Sequence, residues 1–526
     1  MEKVNIYDTT LRDGMQAEGI SFSIEDKIQV ACKLDEFGVD YIEGGFPLSN
    51  PKEEQFFSRM AEIKLKNAAL VAFGSTRRAG LKVEEDPGLR ALLDCGASAT
   101  AIVGKTWDFH VSNVLRCSLD DNIRLCADSV AYLKKQGLKV FFDAEHFFDG
   151  YKNNPSYAIS VLKAAAEAGA EALVLCETNG GCLPEEVFDI TKAVCRELGS
   201  VTIGIHTHND TDCAVANALA AVRAGARQVQ GTINGMGERS GNANLCTILP
   251  NLTLKMGYQT VGSESLKRLT ELSRFVFEIA NLAPVINMPY VGESAFAHKG
   301  GLHIDALRKN EKTYEHVHPS AVGNTRRFLI SELSGSSNVL DKLERKKIAT
   351  DKKTAAKILK AVQDLENEGY QFETAEASFD LLVKKTLGEY APSFELIKYH
   401  INVERRISDG MVTEATVKLK VGGKVEHVVA EGDGPVNALD KALRKALEHF
   451  YTNLKEMSLI DYKVRVVNAK AGTAAKVRVV IETRDRDDLW GTVGVSENII
   501  EASWLALVDS IEYKLLKDAG TLNRLR

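Results

Sequence analysis

Eight short β-rich apolar runs recur about every 30 residues through the first half of the chain. They read VNIYD, YIEGGFP, ALVAFGS, ATAIVGK, KVFFDAE, ALVLCET, TIGIHTH and RQVQGTIN. Helical patterns separate them. In SIEDKIQVACKLDEFG, Ile24, Ile28, Ala31 and Leu34 fall on one helical face. Ser23 with Asp26 is placed to cap the start and Gly38 to stop the end. LPEEVFDITKAVCREL repeats the design, with Pro184 in the first turn, Glu185 and Glu186 at the positive end of the dipole, and Val187, Ile190 and Val194 facing inward. Eight strands alternating with helices over about 250 residues is the arithmetic of a (β/α)₈ barrel, an α/β fold. A doubly wound open sheet gives the same alternation. It usually has fewer strands, however, and often a glycine-rich first turn. The first turn here is DTTLRDG, and the glycines of NGMGERSG are not spaced as G-x-G-x-x-G.

The barrel leaves about half of the 526 residues for further domains. A net charge of −6 argues against nucleic acid or an anionic membrane as the main partner. No apolar stretch is long enough to span a bilayer, and no secretory leader is recognisable. Nine cysteines without a disulfide framework fit free thiols in a reducing cytoplasm. Cys176 and Cys182 flank ETNGG, where small buried residues near a loop are the simpler reading than a zinc site.

Barrel active sites lie at the C-terminal ends of the strands. The polar residues gather there: Arg12 and Asp13 after the first strand, Glu145 at the fifth, Glu177 and Thr178 at the sixth, His206 and His208 at the seventh, Asn242 beyond the eighth. Residues i and i+2 of a strand point to the same side, so both histidines of HTHND face the mouth. One histidine is usually a satisfied structural residue; two at this spacing favour a metal. Asp13 completes a two-histidine, one-carboxylate set, and Asn242 can add a neutral oxygen. Such a set leaves open coordination positions for a 2-oxo acid, whose ketone the metal would polarise while Arg12 stabilises the alkoxide. Magnesium, manganese or zinc all suit these donors, and so does iron.

DTTLRDG, YIEGGFP, HTHND and GTINGMGERSGNANL together resemble the metal-dependent barrel acyltransferases and lyases, the isopropylmalate and homocitrate synthase family. DGMQAEGISFSIEDK, EHFFDGYKNNPSYA and RRFLISELSGSSN are similar to the citramalate synthase branch of that family. FAHKGGLHIDAL looks like the post-barrel histidine motif, with Ile304 where related synthases carry glutamine, and TYEHVHPSAVGN like the tyrosine segment that follows it. The resemblance implies a divalent metal on Asp13, His206 and His208, with Asn242 close by. It implies Arg12 at the keto oxygen, Glu145 and Thr178 orienting substrate, and His303 and Tyr314 acting at the acetyl end. The reaction implied is a Claisen-type condensation of acetyl-CoA with pyruvate, followed by thioester hydrolysis. A larger 2-oxo acid, as in isopropylmalate or homocitrate synthesis, is the alternative. A barrel that has lost activity and serves only to bind a regulatory amino acid is a second alternative, against which the intact Arg12, Asp13, His206 and His208 set speaks. Arg77, Arg78 and Lys105 offer cations for CoA phosphates but read equally as surface.

Near residue 285 the barrel rhythm stops at NLAPVINMPYVGESAF. The expected organisation is a barrel over 1–285, a mixed, mostly helical linker region over 286–395 that completes the site, and an α+β regulatory domain over 396–526. The tail holds an internal repeat of strand, turn, strand, cap and helix. The first helix starts at Pro435 and buries Val436, Leu439, Leu443 and Leu447. Ser496 is placed to cap the second, which carries Ile500, Trp504, Leu507 and Ile511 on one face. The resemblance implies that this domain senses isoleucine, and that the protein is a homodimer whose linker reaches over the partner's site.

Overall fold

The computed structural model describes residues 2–329, 343, 351–406, 410–467 and 475–520. They form two compact units: Met1–Phe296 with Val317–Arg326, and Ala297–His316 with Arg327–Arg526. The later part of the RRFLISELSGSSN stretch lies outside the described residues.

In the first unit, eight parallel strands close into a barrel. They are β1 (Asn5–Asp8), β2 (Tyr41–Gly45), β3 (Ala69–Ser75), β4 (Ala99–Lys105), β5 (Lys139–Glu145), β6 (Ala172–Glu177), β7 (Thr202–Thr207) and β8 (Gln228–Gly231). β8 returns to pair with β1, Ile6 opposite Val229. The helix Ile24–Phe37 starts as expected: Ser23 and Asp26 form a reciprocal capping box, and Gly38 closes the end at φ 92°.

Strand parity sorts the barrel interior into layers. Tyr7, Val71, Ala99, Ala101, Phe141 and Ala172 form an apolar floor. Phe141 meets Tyr7 and Tyr41 edge-on, at 5.7 and 4.8 Å between ring centres. One layer nearer the mouth stand Asp143, two residues beyond Phe141, and Glu43, two beyond Tyr41, with His206 of β7 and Gln230 of β8, all buried. The outward face of the strands carries aliphatic residues such as Ile42, Ala72, Leu173 and Ile205, which join the surrounding helices in one core. The buried inward-facing charged groups thus sit where the strands approach the mouth, while one buried amide, Gln228, lies two residues deeper on β8.

The second unit begins with β9 (Ala297–His298), paired with β10 (Arg327–Phe328), and the helix Gly301–Lys309. Helices Lys352–Glu368 and Glu376–Leu387 follow. Two three-stranded antiparallel sheets complete it: β11 (Glu395–Arg406), β12 (Gly410–Val421) and β13 (Lys424–Gly432), then β14 (Ser458–Val466), β15 (Val477–Arg484) and β16 (Leu489–Ser496). Each sheet is followed by a helix, Pro435–Leu447 and Ile499–Asp518. The repeat is therefore βββα rather than the expected ββα. The extra first strands, β11 and β14, are mostly exposed along their length. Asn498, not Ser496, caps the last helix, accepting from the N–H groups of Ile500 and Glu501. Ser496 ends β16, and its Oγ accepts from Asn498 N at 3.1 Å. Phe372 and Phe379 share a core with Val493 and Val495, so the linker helices and the second sheet pack as one body.

Candidate active site

The turn after β1 is built by its own side chains. Asp8 accepts from Thr10 N (2.9 Å) and Thr10 Oγ1 (3.0 Å). Burial holds Asp8 up at about 7 against those hydrogen bonds. Thr9 donates to Glu43 Oε2 at 2.6 Å and accepts from Asp13 N at 3.3 Å. Asp8 and the two threonines of DTTLRDG thus fix a turn that presents the two other charged residues, Arg12 and Asp13, to the mouth.

Asp13, His206 and His208 converge: one donor atom from each lies within 4.8 Å of the others. His206 Nε2 is 3.0 Å from Asp13 Oδ2. Asn242 Nδ2 donates to Asp13 Oδ2 at 2.9 Å and lies 3.2 Å from His206 Nε2. All four side chains are buried. Burial would raise the Asp13 pKa, but Arg12, His206 and His208 outweigh it and hold the carboxyl well below the usual range. Burial, then His206, push the His208 imidazolium down to about 3, leaving that ring neutral and able to ligate. His208 Nδ1 and Asn242 Oδ1 are buried without a hydrogen-bond partner among the described residues. Orphaned buried polar atoms cost about 1–3 kcal/mol each. An anionic carboxylate, a neutral imidazole and an unsatisfied amide oxygen fit a divalent cation, which would relieve that cost. Rotating the Asn242 amide would turn its oxygen toward the same point.

Arg12 is held from three sides. Nε donates to Glu43 Oε2 at 2.6 Å, Nη1 lies 3.1 Å from Asp13 Oδ2, and the guanidinium sits 4.2 Å over the Phe73 ring. Glu43 also accepts from Tyr7 OH at 2.7 Å. It is fully buried, with Tyr7 donating to one oxygen and Thr9 and Arg12 to the other.

Glu145 and Thr178 stand on the same rim. Glu145 forms an ion pair with Lys105, opposite it in register on β4. Lys105 is therefore engaged inside the barrel mouth rather than on the surface. Arg77 is engaged by Asp128 and Leu81 O at 2.7 and 3.0 Å. Thr178 Oγ1 accepts from His146 N at 2.9 Å, and Thr178 O from Arg239 at 2.8 Å. Arg239 also grips Asp210 through two bonds of 2.8 and 2.9 Å, tying the loops after β7 and β8 together. The glycines of NGMGERSG serve this turn: Gly235 and Gly241 have φ of 70° and 93°. Gly237 lies where a Cβ would come within 2.1 Å of Asn242 Oδ1. The loop buttresses the site with side-chain contacts.

His303 and Tyr314 belong to the second unit. Their rings stack at 4.0 Å with 26° between planes, one on the helix Gly301–Lys309 and the other just beyond it. Glu315, the residue after Tyr314, is buried and lies 3.3 Å from His298 Nε2 on β9. Ile304, in the position where related synthases carry glutamine, is fully buried, which suits an apolar side chain. Glu43, Asp143 and Gln230 are site residues that the sequence motifs do not single out. The available signal was a charged or amide residue in mid-strand of a parallel sheet, where apolar runs are the rule.

Three family descriptions match in succession: HMGL-like over residues 3–276, homocitrate synthase post-HMGL domain-like over 290–370, and LeuA allosteric (dimerisation) domain over 373–515. The (R)-citramalate synthase of Aquifex aeolicus is 56% identical over 520 residues, covering 98% of each chain. That of Geobacter sulfurreducens is 55% identical over 520 residues, again 98% of each. The 2-isopropylmalate synthase of Methanocaldococcus jannaschii is 31% identical over 520 residues, covering 98% of this chain and 95% of its own. A barrel carrying this cluster at its mouth, matched nearly end to end at such identity, places the chain in the (R)-citramalate synthase family, within the wider HMGL-like group.

Proposed function

We infer that the chain condenses acetyl-CoA with pyruvate and hydrolyses the thioester, releasing (R)-citramalate and CoA. The observation that carries this is 56% identity over 520 residues to an (R)-citramalate synthase. The buried cluster of Asp13, His206 and His208 supports it.

Asp13, His206 and His208 would hold a divalent cation, with Asn242 beside it; such an ion polarises the ketone of a bound 2-oxo acid as a Lewis acid. Arg12 neutralises the charge that grows on the keto oxygen as the new carbon–carbon bond forms. Its orientation is set in advance by Glu43, so no reorganisation is needed at that moment. Thr178 and Glu145 orient the 2-oxo acid and the acetyl group. His303 takes a proton from the acetyl methyl, and Tyr314 donates to the thioester oxygen as it gains charge. Water then cleaves the carbon–sulfur bond, with CoA leaving as the thiol.

The second unit binds isoleucine as a feedback inhibitor, in line with the LeuA allosteric (dimerisation) domain matched over 373–515. The protein works as a homodimer in a reducing cytoplasm, where its nine unpaired cysteines are stable. No helix among the described residues is long and apolar enough to cross a membrane. The test is the rate of free-thiol release from acetyl-CoA with a panel of 2-oxo acids. Pyruvate is expected to give the highest kcat/KM, and a preference for 2-oxoisovalerate or 2-oxoglutarate would reject the assignment.

A further inference from the structure

His206 on β7 and Gln230 on β8 are opposite one another in the parallel register. His206 Nδ1 lies 2.8 Å from Gln230 Oε1, and Gln230 Nε2 donates to Asp143 Oδ1 across 3.2 Å. The three side chains form a line through the barrel interior, at 5%, 0% and 3% exposure for His206, Gln230 and Asp143. The metal reading uses only the first of them.

An amide has one accepting end and one donating end. A carboxylate oxygen accepts, so Asp143 claims the NH₂ of Gln230 and turns Oε1 toward His206. Nδ1 of His206 must then carry the proton, and Nε2 keeps its lone pair. On the opposite side of the ring Nε2 faces the cation site, with Asp13 Oδ2 at 3.0 Å and Asn242 Nδ2 at 3.2 Å, so it is the Gln230 side that sets the tautomer. Reversing the Gln230 amide would set its oxygen against Asp143 and a donor against the Nδ1 proton. A carboxylate in place of the amide would put a third acid into a closed layer that already holds Asp143 and Glu43.

We propose that Gln230, oriented by Asp143, is a positioning residue that fixes His206 in the tautomer and ring angle required of a metal ligand. This rests on the reading of Asp13, His206 and His208 as the cation site. Partners of this kind behind a ligating histidine alter metal affinity about 10- to 100-fold.

The experiment measures Mn²⁺ and Zn²⁺ dissociation constants by chelator competition on the full-length protein, with thermal unfolding of the metal-free form alongside. Gln230→Leu is expected to weaken both constants at least tenfold with metal-free Tm essentially unchanged. The double variant Gln230→Glu/Asp143→Asn keeps an acceptor for the Nδ1 proton and a donor behind it, and is expected to restore affinity. Wild-type affinity in Gln230→Leu, or a double variant that folds yet fails to recover binding, overturns the proposal. Should Gln230→Leu not fold, the double variant alone decides. His206→Ala separates the two levels of inference. Loss of binding there keeps the cation site whatever Gln230→Leu does, whereas undiminished binding removes the site and the relay together.

Discussion

Arg12 Nε and Glu43 Oε2 meet at 2.6 Å, joining the turn after the first strand to the interior of the second. The carboxylate lies behind the guanidinium and need not touch substrate, so its contribution is orientation. Glu43→Gln keeps the shape and one acceptor but loses the charge. It is expected to lower kcat/KM for pyruvate about 10- to 100-fold, roughly 1.4–2.7 kcal/mol. Metal affinity should stay close to wild type. Steady-state kinetics paired with metal titration check this, and unaltered turnover would remove Glu43 from the machinery.

Gly237→Ala tests the buttress under Asn242. The new methyl would lie 2.1 Å from Oδ1 and 3.1 Å from the backbone nitrogen of Asn242, so the amide must move. Metal binding should weaken about tenfold while the far-UV circular dichroism is preserved. Equal affinity in the variant would show that Asn242 is not held by this contact.

Isoleucine, if it binds the second unit, must stabilise the folded chain by linkage. At a free concentration 100 times its dissociation constant the gain is about 2.7 kcal/mol, visible as a rise in Tm. The same titration should lower the rate of thiol release. Valine producing an equal rise at the same concentration would count against isoleucine as the recognised ligand.

Asp485 gives the second unit an acid-labile joint. Lys514 and Lys517 both donate to its Oδ2, at 2.7 and 2.6 Å, and Lys517 lies 4.7 Å over the Trp490 ring. Burial alone would raise the Asp485 pKa, but the two ammonium groups outweigh it and hold it below the ordinary value. A folded pKa below the unfolded one, about 3.9, means that the stabilisation is complete above that pH and is lost as pH falls further. Asp485→Asn takes their shared counter-ion from two buried ammonium groups, leaving Lys514 with Asp518 at 3.0 Å and Lys517 with Asp488 at 3.7 Å, and should cost about 1–3 kcal/mol at neutral pH. It should also flatten the acid limb of the unfolding profile, followed by near-UV circular dichroism. A variant with wild-type stability and an unchanged acid limb would refute the role.

The barrel was legible because its signal is local and repeated: a short apolar run, a polar end, an amphipathic helix with its caps. The site was legible wherever chemistry-bearing residues sat at strand ends, as Asp13, His206 and His208 do. Glu43, Asp143 and Gln230 escaped because their meaning depends on register between strands distant in sequence. His206 opposes Gln230, while Asp143 reaches Gln230 across the barrel interior. Only parity gave a hint, since Asp143 lies two residues before Glu145 on the same face. In the second half, Asn498 captured a cap assigned to Ser496 because the strand runs to Ser496 itself. Two residues of misplaced boundary suffice to exchange one capping side chain for another.

Asp13 and Asn242 touch across 229 positions of sequence. During synthesis the N-terminal aspartate and arginine emerge long before the strand that seals the ring, because β1 gains its second neighbour only from β8. An ion arriving early finds a lone carboxylate, which grips poorly. A cation held there would therefore report ring closure: it could not template the first strand–helix units of the nascent chain, but would lock the barrel once the last strand has docked.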